Sequence, residues 1–275
     1  MEREADIATT AADLQRDLDA RRPRQLFVAG RGPRTVREAY ALQRAVRSFR
    51  EARGEIVVGF KVGFTSPTIR AQLVGLMGID HSVHGYLWYT EQKRSGATVD
   101  HRRFGVEGEL AVTLLSTDGD DVSQWEVEYQ PIIEVHSMGI DGPHDGRGGV
   151  QLISTNCIHA GVVHSSDAAL RRTKRCLLGE VPLDERMAVH VAGRQLEQVT
   201  LMALQVDGVH GPVATVNWLL QTLRAEGNGE DALIAPGAVV LCSTPGGLYD
   251  VSPGVETVVT FDGMTATCIA DTPRP

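Results

Sequence analysis

Residues 104–114, FGVEGELAVTL, alternate in polarity with a period of two. That period belongs to a β-strand, whose successive side chains point to opposite faces. Val106, Leu110, Val112 and Leu114 share one face; Glu107 and Glu109 share the other with Ala111 and Thr113. Two carboxylates side by side repel unless a cation, a shared proton or bulk water separates them. For a lone E-x-E pair the ordinary answer is water, on a solvated sheet face.

A second segment argues against water. In PIIEVHS, Glu134 alternates with Ile133 and Val135, so it too opposes an apolar face. It lies one strand and one loop after Glu109, with the turn STDGDD between them. Adjacent strands can therefore bring three carboxylates to one spot. An oxygen-only donor set suits a hard cation, Mg2+ or Mn2+ rather than Zn2+. Such a cation keeps about three further octahedral positions for water or substrate. The carboxylate and keto oxygens of a 2-oxo acid fit those positions as a five-membered chelate.

The rest of the chain supplies context. Residues 6–20 have loose helical periodicity, and prolines and glycines break it in RRPRQLFVAGRGPR. TVREAYALQRAVRSFREARG predicts a helix with Thr35 and Glu38 as a capping box, Ala39, Leu42, Val46 and Phe49 as its apolar stripe, and Gly54 at its end. EIVVGFKVGF reads as a buried strand. In SPTIRAQLVGLMG, Ser66 and Pro67 start a helix that buries Ile69, Leu73 and Leu76. Strands and turns dominate afterwards, apart from the helix GPVATVNWLLQTLRAEG and a final hairpin across Asp262-Gly263. Helices first and a strand-rich body after them indicate an α+β fold rather than alternating βαβ units. The expected division is a helical region over 1–80, which contributes Lys61, and a β-rich catalytic body over 81–275.

Composition excludes more than it selects. A net charge of −8 recommends neither nucleic acid nor an anionic membrane as partner. No apolar run approaches the roughly 20 residues of a membrane helix. The first twenty residues lack the apolar stretch of a signal peptide. Cys157, Cys176, Cys242 and Cys268 form no C-x-x-C pair, which fits reduced thiols in a cytoplasmic protein. HSVH at 81–84 lacks the glutamate of a zincin motif and reads as loop.

GFKVGFTS, MGIDHSVHGYL, VEGELAVTL and PIIEV, in this order and spacing, resemble the fumarylacetoacetate hydrolase superfamily. The likeness is greatest to its 2-keto-4-pentenoate hydratase and 4-oxalocrotonate decarboxylase branch. TVREAYALQ resembles the helix that precedes the lysine strand there, and the likeness runs from about residue 35 to 265. The resemblance implies a divalent metal on Glu107, Glu109 and Glu134, a catalytic Lys61, a polar partner at Asp80, and a homo-oligomer. Lys61 lies between Phe60 and Val62, where an unpaired ammonium is costly; reaching water from an edge strand is its structural alternative. For Asp80 the alternative is a turn residue after Gly78.

The chain departs from the family pattern at several points. Gly108 stands where members commonly carry proline, and a glycine weakens a strand. STNCIHAGVV replaces an Asp-Asn-Ala-Ser-like segment, leaving Asn156 as the residue carried over for substrate binding; His159 is within reach of the site, but a lone histidine in an apolar run is more often a hydrogen-bonded core residue. CSTPGGLYD resembles the turn of the superfamily's C–C bond hydrolases, and Ser243 and Thr244 offer hydroxyls to a substrate carboxylate. No histidine is followed three residues later by glutamate, so the water-activating dyad of those hydrolases is missing.

The expected activity is that of a metal-dependent lyase on a small unsaturated 2-oxo acid. Hydration of a 2-hydroxydienoate comes first, because neither STNCIHAG nor CSTPGGLYD holds an arginine to grip a second carboxylate. Decarboxylation of an oxalocrotonate-like diacid, acylpyruvate-type C–C hydrolysis and a catalytically silent keto-acid-binding subunit are the alternatives.

Overall fold

A computed structural model of the chain describes residues 2–99, 104–137, 141, 147–165 and 173–271. The N-terminal quarter is helical, as its periodicity requires. Helix α1 (Glu2–Asp19) packs on α2 (Val36–Ala52) through Ala11, Leu14, Leu42 and Val46. Thr35 caps α2 by accepting the N–H of Glu38 (3.2 Å). The Glu38 carboxylate returns to the N–H of Arg34 (2.9 Å), one residue earlier than a capping box prescribes. Gly54, at φ +85°, ends the helix as expected. Helix α3 (Pro67–Met77) starts from Ser66, whose hydroxyl accepts the N–H of Ile69 (3.1 Å). Ile69 is buried and Leu76 half-buried, while the side chain of Leu73 lies outside the described residues.

The body consists of strands β1 (Val57–Gly63), β2 (Val83–Trp88), β3 (Gln92–Arg94), β4 (Ala97–Val99), β5 (Phe104–Leu114), β6 (Glu126–Ser137), β7 (His159–His164) and β8 (Lys174–Leu177), followed by β9 (Arg186–Val191), β10 (Arg194–Thr200), β11 (Val239–Leu241), β12 (Tyr249–Asp250), β13 (Glu256–Phe261) and β14 (Met264–Ala270). A short helix α4 (Gly148–Ser154) precedes β7, and the long α5 (Gly211–Glu226) buries Val216, Leu219, Leu220 and Leu223. This is the α+β architecture expected from the order of patterns.

The larger sheet runs β2-β1-β11-β5-β6-β7-β3, with β12 on β5 and β8 on β6. β1 and β11 are parallel, and the β11–β5, β5–β6 and β6–β7 pairs are antiparallel. The sheet curls until Asn156, just before β7, bonds the backbone of Tyr86 on β2. The smaller sheet, β10-β9-β13-β14-β4, covers the face that carries Val106, Leu110, Ile133 and Val135.

Gly108 faces the smaller sheet at close range. A Cβ there would lie 2.7 Å from Val189 Cγ2 and 3.2 Å from Val259 Cγ1. The glycine does not loosen the strand. The β5–β6 register runs unbroken from Phe104↔Ser137 to Leu114↔Val127, because the facing sheet, rather than strand propensity, fixes this segment.

Candidate metal centre

Register places the acids. Glu107 pairs directly with Glu134 across the β5–β6 ladder, and Glu109 stands opposite Ile132 on the same face. Opposed residues on one face have Cβ atoms about 4.5–5.5 Å apart, so two of the carboxylates are forced together by backbone geometry. None of the three reaches bulk water to any extent: Glu107 is 7 % exposed, and Glu109 and Glu134 are 0 %. The solvated-face alternative is therefore excluded. His136, two residues beyond Glu134, projects from the same face. Its Nε2 lies 3.2 Å from Glu107 Oε2 and 3.6 Å from Glu134 Oε2.

Lys61 enters from β1. It pairs with Leu241 of β11, which in turn pairs with Ala111 of β5, and its stem carries Nζ to within 2.6 Å of Glu134 Oε1. Lys61 is 3 % exposed, so it does not reach out to water. Burial works against its ammonium, but the charges of Glu134, Glu109 and Glu107 hold its pKa above the ordinary value. Burial likewise opposes ionisation of Glu134, yet Lys61 first, then His136 and His159, keep its carboxyl well below the usual carboxylate range. Glu109 goes the other way. Burial and the charges of Glu134 and Glu107 drive its pKa well above the ordinary value, against a smaller pull from Lys61.

Three buried acids face one lysine, and the deficit shows in the hydrogen bonding. Both oxygens of Glu109, Glu134 Oε2 and both ring nitrogens of His136 are buried with no hydrogen-bond partner among the described residues. Ligand atoms of Glu107, Glu134 and His136 lie within 4.8 Å of one another. Glu109 is not in that tightest set, although it shares the face and the electrostatic field. A hard dication matches this donor set: it cancels the surplus charge and supplies the partner that the orphaned oxygens lack.

The remaining sequence candidates are placed as follows. Ser243 and Thr244 are buried where β11 ends beside β1, and Ser243 accepts a hydrogen bond from Thr65 Oγ1 (2.7 Å). Thr244 Oγ1 accepts the N–H of Gly246 within its own turn (3.1 Å). Asn156 accepts the Tyr86 N–H (2.6 Å) and donates to the Tyr86 carbonyl (2.8 Å), so its amide clamps β2. Asp80 is exposed in the loop that follows the left-handed Gly78 cap of α3. No hydrogen bond or ion pair among the described residues joins it to Lys61, whose acidic partner is Glu134. His84, read as loop, lies in β2, stacked on Tyr40 and 3.0 Å from Glu226 Oε1.

Two further histidines adjoin the acids, of which His159 reads from sequence as a hydrogen-bonded core residue and His136 is not singled out. His136 was signalled by Glu134-x-His136, the same period-two rule that found the acids. His159 bonds Glu134 Oε1 through Nδ1 at 2.6 Å; nothing local to its sequence announces that contact. Folding also collects Arg21, Arg22, Arg24, Arg47 and Arg50 around a cavity of about 340 Å3, whose wall includes Asn156, Glu91 and His159.

No family model and no curated protein matches this sequence. Solved structures do match. The 4-oxalocrotonate decarboxylase from Pseudomonas putida G7, complexed with magnesium and adipate, is 19% identical with a TM-score of 0.76, covering 97% of this chain and 98% of that one. The same enzyme complexed with calcium and acetate gives a TM-score of 0.71 at 18% identity over 97% and 98% of the two chains. Fumarylpyruvate hydrolase from Pseudomonas aeruginosa, in complex with Mn2+ and pyruvate, is 12% identical with a TM-score of 0.50, over 77% of this chain and 88% of that one. These neighbours are members of the fumarylacetoacetate hydrolase superfamily, and the resemblance read from the motifs holds at the level of fold.

Proposed function

We propose that this chain, with a fumarylacetoacetate hydrolase-like fold, is a divalent-metal-dependent lyase acting on a small unsaturated 2-oxo acid. The observation that carries this reading is the buried surplus of negative charge at Glu107, Glu109 and Glu134 beside Lys61. Those three acids, with His136 adjoining, would hold Mg2+ or Mn2+, the metals found in structures of similar fold. Such an ion, when bound, supplies Lewis-acid polarisation of the 2-oxo group and a template for its carboxylate.

The chain's own groups do the rest. The Lys61 ammonium, placed against Glu134, can both balance a substrate carboxylate and carry a proton. Ser243 and Thr244, at the end of the adjoining strand β11, offer buried hydroxyls to the substrate. The side chains of Lys61, Glu107, Glu109 and Glu134 are buried, so electrostatic interactions among them are less screened than in water.

Between the two lyase reactions, loss of CO2 from an oxalocrotonate-like diacid is the better supported. Hydration came first in the sequence reading because arginine was absent from two wall segments. The cavity beside His159 gathers five arginines from the first fifty residues, the residue type best suited to a second carboxylate. Arg22, Arg24, Arg47 and Arg50 are ion-paired with Asp17, Asp141, Glu230 and Glu91, so a substrate carboxylate would have to compete with those acids. The likeness to a decarboxylase crystallised with adipate, a diacid, points the same way. The test is product analysis with Mg2+ on one oxalocrotonate-like diacid and one matched 2-hydroxydienoate. Stoichiometric CO2 from the diacid is the expected result. A hydrated product from the monoacid alone would restore hydration, and cleavage of an acylpyruvate to pyruvate would overturn both.

A further inference from the structure

Glu134 Oε1 has two donors. Lys61 Nζ and His159 Nδ1 each lie 2.6 Å from it. A carboxylate oxygen has about two lone-pair positions, so Oε1 is fully engaged. Oε2 has no hydrogen-bond partner and faces His136 Nε2 at 3.6 Å. The carboxylate is thus divided between an oxygen held by the protein and an oxygen turned toward Glu107 and His136.

The two donors are not equivalent. Lysine is a point charge on a flexible stem of four carbons, which supplies attraction but little direction. Imidazole is rigid and planar, and its Nδ1 must carry the hydrogen here, since its partner is a carboxylate oxygen. The chain spends conformational energy to aim this ring. Asn156, Cys157 and Ile158 have φ of +56°, +56° and +54°, a left-handed turn costing about 1–2 kcal/mol for each non-glycine residue. The turn is held by the Asn156 clamp on Tyr86, and a Cβ on Gly85 would lie 2.7 Å from Asn156 Oδ1. His159 follows the turn directly, with a fully buried side chain. Behind it, Nε2 lies 3.5 Å from Glu91 Oε2, and neither atom has a hydrogen-bond partner among the described residues. Glu91 is paired with Arg50 of α2 (2.8 Å), whose guanidinium lies 4.0 Å over the Trp88 ring.

We propose that His159 is a positioning residue of the metal centre: aimed by the left-handed turn before it and the Asn156 clamp, it fixes the Glu134 carboxylate so that Oε2 is the oxygen presented to the metal. This rests on the metal reading above and adds to it that the turn before β7 helps to orient a ligand on β6. Outer-shell partners of metal ligands typically contribute 10–100-fold in affinity.

The test is Mn2+ binding to the metal-free full-length protein, followed by calorimetry and by the electron spin resonance of bound Mn2+. His159→Leu keeps much of the volume and removes the donor; affinity should fall about 10–100-fold. His159→Asn places its Nδ2 where Nδ1 stood and should stay close to wild type. His159→Gln carries its donor too far out and should bind like His159→Leu, which keeps the comparison available where the leucine variant does not fold. His164→Leu, at the other end of β7, controls for disturbance of the strand and should leave affinity unchanged. Wild-type affinity in both His159→Leu and His159→Gln overturns the proposal. So does an asparagine variant as weak as the glutamine one. A wild-type protein that binds no Mn2+ overturns the metal reading and this inference together, whereas unchanged variants of a metal-binding wild type overturn this inference alone.

Discussion

The two faces of the β5–β6 ladder are buried to the same degree and built by the same strands, yet they differ in almost every other respect. One face presents Val106, Leu110, Ile133 and Val135 to the smaller sheet. The other presents Glu107, Glu109, Glu134 and His136, with several of their polar atoms unpartnered. The apolar face lowers the free energy of the fold by roughly 25 cal/mol for each Å2 removed from water. The polar face opposes folding, since burying a charge is costly unless it is paired. The acidic face lies on the most central strand pair, and the apolar face across the same backbone offsets its cost. Register joins the two: a slip of one residue would exchange them.

Substitutions on either side should separate these roles. The largest effect is expected from Lys61→Met, which keeps the stem but leaves Glu134 without its cation. Turnover should fall about 10²–10⁴-fold, the range for general acid–base groups, and the metal-free protein should lose stability that Mg2+ restores. Steady-state rates and thermal melts with and without metal check both statements, and an unchanged kcat would make the lysine structural only.

On the opposite face, Ile133→Ala should cost about 2–5 kcal/mol of unfolding free energy through the cavity it leaves. Mn2+ affinity of the folded fraction should stay the same. Urea titration and calorimetry would test whether the faces are independent; weaker metal binding would show that they are not.

Gly108→Ala probes the contact between the sheets themselves. The added methyl would meet Val189 at 2.7 Å and Val259 at 3.2 Å, both stiff β-branched side chains, so a loss of about 1–3 kcal/mol is expected. Stability equal to wild type would mean that the sheets are less closely packed than described.

The smallest effect on stability has the opposite sign. Glu109→Gln removes a buried acid with no hydrogen-bond partner and should stabilise the metal-free protein by about 1 kcal/mol, while abolishing the stabilisation by Mg2+ and the activity. A variant less stable than wild type without metal would show that Glu109 already has a compensating partner.

Much of this was legible before folding because it is local. Period-two alternation assigned Glu107, Glu109 and Glu134 to the face opposite Val106 and Ile133, since strand geometry fixes that face one residue at a time. Thr35, Ser66, Gly54 and Pro212 marked helix ends for the same reason: a cap concerns neighbours three or four residues apart. His136 was readable by the rule that found the acids.

What only the tertiary structure decided involves partners far apart in the chain. Lys61 and Glu134 are separated by 73 positions, a span over which no periodicity carries information. That Glu134, rather than Asp80, is the acid beside Lys61 follows from the order β1-β11-β5-β6. His159 read as an ordinary core histidine because its contact with Glu134 depends on the left-handed turn before it. That Arg21, Arg22, Arg24, Arg47 and Arg50 line one cavity with His159 was invisible, since they share it only once the helices have docked on the curled sheet. Local geometry fixes which way a side chain points; only long-range packing fixes what it meets there.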